Sequence, residues 1–220
     1  MKQNEEIDDW LLWQLVDSAF PTGGFAHSGG LEAAWQHGEI RDSDGLASFL
    51  ESSMWQMASG IVPYVMAAHD APVKFSQLNE LCDAFLSNHV ANRASRVQGR
   101  AFLNSAARIF GPVARLEMES SFSHFAPAFG AVTPALGVDR RTTGELFAFQ
   151  GFRGLISAAV RLGIVGPMEG QALQHRLAPR VREMLSSTVD QPVSEVAVVA
   201  PLLEIWQGSH DRLYSRLFQS

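Results

Sequence analysis

The chain has 220 residues, of which 46% are hydrophobic and only 18% charged, with a formal net charge of −6. One large domain is the default at this length, although two small ones also fit. The acidic balance excludes a general nucleic-acid binder, which needs a basic field, and the single cysteine, Cys82, excludes an intramolecular disulfide.

Of the 17 basic residues, 15 are arginine, whose planar fork suits carboxylates and protein interfaces. So little charge on so apolar a chain implies buried contacts with another subunit. Residues Met1 to Asp9 are polar and acidic, without the cationic start and apolar run of a secretion signal. Residues 1–7 are expected to be disordered and the location cytoplasmic, since one cysteine suits a reducing compartment. No span reads as a membrane helix. The nearest, between Glu119 and Asp139, is interrupted by Pro127, Gly130, Pro134 and Gly137.

An amphipathic helix is predicted from Ile7 to Phe20, with Trp10, Leu11, Leu15 and Ala19 at helical spacing. It runs into the densest punctuation of the chain, Ala19-Phe20-Pro21-Thr22-Gly23-Gly24-Phe25-Ala26-His27-Ser28-Gly29-Gly30-Leu31-Glu32. Four glycines and a proline mark a structured corner between helices, with Phe20 and Phe25 as anchors. A phosphate cradle is a poor fit. It would end in Gly-Lys-Ser/Thr, whereas Glu32 here puts a carboxylate where phosphate charge would lie, and complements the helix dipole instead.

Beyond the corner, Ser28 is expected to cap a helix to about His37, stopped by Gly38. Asp42 or Ser43 then starts one carrying Leu46, Phe49, Leu50, Met54 and Met57 on one stripe and ending at Gly60. Val62 to Asp70 is a helix opened by Pro63 and closed by Pro72. Ser76 caps the next, which bears Leu78, Leu81, Cys82, Phe85, Leu86 and Val90. Asn92 to Phe110 places Arg93, Arg96 and Arg100 on one face, either a partner surface or a solvated one. After Gly111-Pro112, a proline-broken helix or helix pair is expected from Ser121 to Leu136, with His124 a hydrogen-bonded core residue rather than a ligand.

Thr142-Thr143-Gly144-Glu145 reads as a capping box opening the longest helix, Glu145 to Gly163. It has one apolar stripe of Leu146, Phe149, Ile156 and Val160, and a smaller-residue stripe of Gly151, Leu155, Ala158 and Leu162. Between them runs a polar seam of Gln150, Arg153, Ser157 and Arg161. Two apolar faces mean a helix central to the core or shared with an interface, and the shared arrangement is favoured. Pro167 begins a helix bearing Leu173, Leu177, Val181 and Leu185, followed by a polar loop from Ser186 to Pro192. A last apolar segment from Ser194 to Ile205 changes character after Gly208 into Ser209-His210-Asp211-Arg212-Leu213-Tyr214-Ser215-Arg216-Leu217-Phe218-Gln219-Ser220. With no strand alternation, the expected fold is all-α: a single compact domain over 1–220 of about nine or ten helices, with residues 209–220 a mobile C-terminal tail.

Catalytic patterns are scarce. The histidines at 27, 37, 69, 89, 124, 175 and 210 form no local metal-ligand motif, and neither a Gly-x-Ser-x-Gly elbow nor a Cys–His pattern is present. The corner from Pro21 to Glu32, the stretch from Ser157 to Gly166 and the terminal Tyr214-Ser215-Arg216-Leu217-Phe218 together resemble the UreF family of urease accessory proteins. The resemblance covers nearly the whole chain. It implies an all-helical homodimer without turnover of its own, which binds UreD (also called UreH) and recruits and regulates the GTPase UreG for nickel delivery to apo-urease. It further implies no tightly bound cofactor, nickel being handled only within the assembled complex.

By the same resemblance, Glu32, Arg161 and Arg216 bear on the GTPase. Tyr214, His210 and Arg153 are further expected partner-binding positions. Phe149, Leu155 and Ala158 are the expected dimer interface, and no metal ligand, membrane or nucleic-acid contact is expected. Two alternatives stay open: a helical enzyme with a site assembled from distant residues, and a direct nickel carrier.

Overall fold

Helix breakers divide the chain into short amphipathic segments that must bury one face against another, and the layout follows. The computed structural model describes residues 8–111 and 122–220. The expected disorder of residues 1–7 and the positions Ser121 and Pro112 lie outside them.

The described α-helices are α1 Asp9–Val16, α2 Leu31–Gln36, α3 Ser43–Gly60, α4 Val62–Asp70, α5 Phe75–Phe85, α6 His89–Ile109, α7 Phe125–Val132, α8 Arg140–Arg161, α9 Pro167–Thr188 and α10 Pro201–Ser209. Short 3₁₀ turns link several of them, and no strand occurs among the described residues. The all-α single-domain expectation is thus met.

Caps explain most boundaries. The Asp42 carboxylate accepts from Gly45 N–H at 2.8 Å and starts α3, and Asn88 Oδ1 accepts from Val90 and Ala91 N–H to start α6. The latter splits the predicted helix that had included Val90. At α8 the cap is Asp139, which accepts from both Thr142 N–H and its hydroxyl, so the helix begins a few residues before the predicted box. Glu145 pairs with Arg141 instead of closing that box. Helix α9 runs on through Ser186–Thr188, residues read from sequence as loop.

Two apolar clusters form the core. The first centres on α4, α6 and α7, where Phe102, Phe125, Phe129 and Phe147 meet with ring centroids 5.3–5.8 Å apart, each such pair worth about 0.5–1.5 kcal/mol beyond burial. Gly130 makes this packing possible, because a Cβ there would fall 2.1 Å from the Val65 carbonyl oxygen of α4. The second cluster joins α2, α3, the C-terminal half of α8, α9 and α10.

Helix α8 bridges the two, with Phe147 in the first and Phe152, Leu155, Ile156, Ala158 and Ala159 in the second. It is therefore central, and the small-residue stripe expected to face a second copy lies inside the protomer. Leu155 is 9% and Ala158 1% exposed, whereas Phe149 is 42% exposed.

Candidate functional site

The glycine corner is built by burial and closed by the far end of the chain. Phe20 is buried against Phe102, 5.9 Å between ring centres. Gly30 then starts α2 at φ 90°, and a Cβ there would lie 3.1 Å from the Gln207 nitrogen of α10, so both its conformation and its neighbour require glycine. Ser28 does not cap α2. Its N–H and hydroxyl both donate to the Ser220 carbonyl.

The segment after α10 is accordingly docked, in contrast to the mobile tail expected from its polar composition. Glu32 is 2% exposed, and its carboxylate accepts from Leu217 N–H at 2.6 Å and Phe218 N–H at 3.1 Å. Gln219 N–H donates to the Ala26 carbonyl at 2.8 Å, and Gln36 donates to the Ser215 carbonyl at 2.9 Å. Fully buried His210 donates from Nε2 to the Phe218 carbonyl at 3.2 Å.

The Phe218 ring enters the second core cluster beneath the Arg161 guanidinium, whose carbon stands 4.3 Å from the ring centre. Arg161 also donates to the Phe25 carbonyl. On α6, Arg93 grips Asp211 through two hydrogen bonds of 3.0 and 2.8 Å, which hold that carboxyl below the usual carboxylate range. Two apolar or charge-assisted anchors and a row of backbone bonds thus fix a segment without helix of its own.

A cavity of about 520 Å³ opens between this corner, the ends of α5 and α6, and helices α3, α8 and α10. All four members of the α8 polar seam, Gln150, Arg153, Ser157 and Arg161, line it, opposite Thr22, Gly24, Phe25 and His27 of the corner. Four of its lining residues each carry a buried side-chain atom without a hydrogen-bond partner among the described residues: His27 Nε2, Ser53 Oγ, Gln150 Nε2 and Arg153 Nε. Burial, the Arg93 charge and His210 lower the His27 pKa to about 4, so its imidazole is neutral at pH 7. Its Nδ1 meets the Ser220 hydroxyl.

A second cluster has the residue types of a hydrolase. The His124 imidazole meets Ser95 Oγ at 3.0 Å through Nδ1 and the Asp83 carboxylate at 3.0 Å through Nε2. Asp83 also accepts from Asn92 and Arg96, and hydrogen bonds from these three side chains outweigh its desolvation and hold its pKa at about 2. Burial lowers the His124 pKa despite Asp83. Ser95 Oγ accepts from Phe125 N–H at 3.2 Å, and His124 is fully buried. Neither Ser95 nor His124 lines the cavity. The cluster joins α5, α6 and α7, the role expected of His124.

The predicted partner positions separate into two groups. Tyr214, at 106% exposure, and Arg216 stand on the outer surface of the docked segment, and Arg161 is exposed over its Phe218. Glu32 and His210 lie beneath that segment, and Arg153 lies on the cavity wall. Sequence reasoning missed Asp211 and His27, whose partners are distant in the chain, and Ser53, which lines the cavity from α3. Among the described residues no group of three or more His, Cys, Asp or Glu converges as a metal site, and no helix is long and apolar enough to cross a membrane.

These features define an all-helical protein whose glycine corner is fastened by its own C-terminal segment, next to a cavity walled by a polar seam of α8. The UreF family model matches residues 40–178. The chain is 38% identical over 230 residues to urease accessory protein F of Arabidopsis thaliana, covering all of this chain and 96% of the relative. It is 37% identical over 219 residues to urease accessory protein F of Oryza sativa subsp. indica, covering 95% and 84%. A bacterial relative, urease accessory protein UreF of Mesorhizobium japonicum, is 30% identical over 216 residues, covering 95% of each. The chain belongs to the UreF family of urease accessory proteins.

Proposed function

We propose that the protein is a cytoplasmic, non-catalytic scaffold in urease maturation, which binds UreD (UreH), dimerises, and recruits and regulates the GTPase UreG for insertion of nickel into apo-urease. The observation that carries this reading is the docked C-terminal segment, which exposes Tyr214 and Arg216, seats Phe218 under the exposed Arg161 and is held by the buried Glu32 latch. Exposed arginine and tyrosine are the residue types that dominate protein contacts, since they supply large rigid area and bidentate donors to carboxylates.

Glu32 and His210 act in this scheme by shaping that surface from below. The dimer contact is proposed to use Phe149 together with other exposed apolar side chains, such as Leu202 and Ile205 of α10. No tightly held cofactor enters, and nickel is cargo of the assembled complex. Urease activity in cells lacking this chain tests the reading: it should fall to the apo-enzyme level and return with the wild-type gene. Full urease activity in its absence would refute the role.

A further inference from the structure

We propose that the outer face of α6 is a docking groove for an acidic helical segment of another protein, which lays its carboxylates on Arg93, Arg96 and Arg100 and an apolar side chain on Val97. An open groove of about 760 Å³ runs along this helix, lined by those four residues, with His89 towards one end and Asn104 at the other. The groove stands apart from the assembly role, and its test uses no urease protein.

Charge singles this helix out. The chain has a net charge of −6, yet α6 holds Arg93, Arg96, Arg100 and Arg108 and not one Asp or Glu. Its exposed positions His89, Arg93, Val97, Arg100, Asn104 and Arg108 follow one another at three- and four-residue intervals, so they form a single stripe along the helix. None of the described residues lining the groove is acidic.

The acids that border the stripe are shared among several cations. Asp211 takes Arg93 at 2.8 Å, His89 at 3.3 Å and Arg216 at 3.4 Å, and Asp83 accepts from Arg96. A guanidinium carries donors enough for more than one carboxylate. Arg93 directs two of them at Asp211 while its side chain stays 48% exposed, so a second, charge-assisted contact from outside is open to it.

Shape and charge together select the occupant. From His89 to Asn104 the helix advances about 22 Å in a line, and a partner helix presents its acids at the same three- and four-residue intervals. Val97, 51% exposed between Arg93 and Arg100, offers that helix an apolar seat. Nucleic acid fits less well, because the negative net charge repels a polyphosphate and Asp83 and Asp211 stand beside the arginines it would need.

The test is fluorescence anisotropy of a labelled helical peptide of about 16 residues, with glutamates at three- and four-residue intervals around leucines, titrated with the full-length protein at physiological salt. Saturable binding is expected, and a twin peptide with glutamine in place of glutamate should bind at least about tenfold more weakly. Arg100→Glu should weaken the glutamate peptide to a similar degree, and Val97→Glu provides the same comparison should the Arg100 variant fail to fold. Arg176→Glu makes the same change of charge at an exposed position of α9 and should leave binding nearly unchanged. Equal weakening by Arg100→Glu and Arg176→Glu, or binding that never saturates, would reduce the effect to general charge attraction and overturn the proposal. Tighter binding of a single-stranded DNA oligonucleotide than of the peptide would also overturn it, as would a dimer of the free chain that dissociates with Val97→Glu, which would give the face to a second copy. Arg216 is left unaltered throughout, so failure here leaves its assignment to the GTPase standing.

Discussion

Glu32 shows what a single residue can and cannot disclose. Its place in the first turn of α2 was legible, and dipole complementarity is a sufficient local reason for an acid there. Its second task, accepting the backbone N–H groups of Leu217 and Phe218, joins positions 185 and 186 residues apart, and no local pattern announces such a bond. Glu32→Ala leaves those N–H groups without an acceptor under a buried phenylalanine, at an expected loss of about 1–3 kcal/mol. Hydrogen exchange should show the Leu217 and Phe218 amides losing protection in that variant; unchanged protection would mean the latch is held elsewhere. His27 makes the same region acid-sensitive. Its folded pKa, about 4, lies below the unfolded value of 6.5, so its contribution is complete above pH 6.5 and is lost as the pH falls from there through 4. The Ser28 and Gln219 amides should lose protection, relative to their intrinsic exchange rates, as the pH falls through that window, and His27→Gln should flatten the response.

At the scale of elements, periodicity was a reliable guide to the apolar faces of α3, α8 and α9 and a poor guide to what covers the faces of α8. The polar seam of Gln150, Arg153, Ser157 and Arg161 was visible in the spacing, and all four residues do share one wall. The stripe of Leu155 and Ala158 was equally visible, but spacing says only that a face is apolar and leaves open whether α3 and α9 or a second molecule covers it. Their burial within the protomer answers that question. Leu155→Asp would therefore place an unpaired carboxylate in the second core cluster and should destabilise the fold by about 3 kcal/mol or more, seen as a lowered thermal midpoint by circular dichroism. Phe149→Asp, at the surface, should leave that midpoint nearly unchanged. A well-folded Leu155→Asp monomer would restore the original interface assignment. Boundaries failed where a better cap stood nearby, as Asp139 did before Thr142 and Asn88 before Val90.

Over the whole molecule, composition foretold an apolar, helix-only body and the structure shows where its apolar surplus emerges. Trp10, Trp13, Leu202, Ile205 and Tyr214 are all exposed, a distribution that suits a protein handled by several partners. The C-terminal segment was the least legible part, since its polar composition suggested a free tail, while Phe218, Asp211 and the Glu32 latch fasten it to the corner. Docking it seats Phe218 under Arg161 and leaves Arg216 and Tyr214 exposed, and the proposed function depends on that face. Arg161 is a compromised probe of it, because reversing its charge would also release Phe218. Arg216, paired only at 3.4 Å with Asp211 at the surface, is the cleaner one. The decisive measurement is capture of purified UreG by the complex of this chain with UreD, comparing wild type with Arg216→Glu after thermal unfolding has verified that both are equally folded. Capture by the wild type and its loss in Arg216→Glu is the predicted result; equal capture by the two would contradict the assignment of this face to the GTPase.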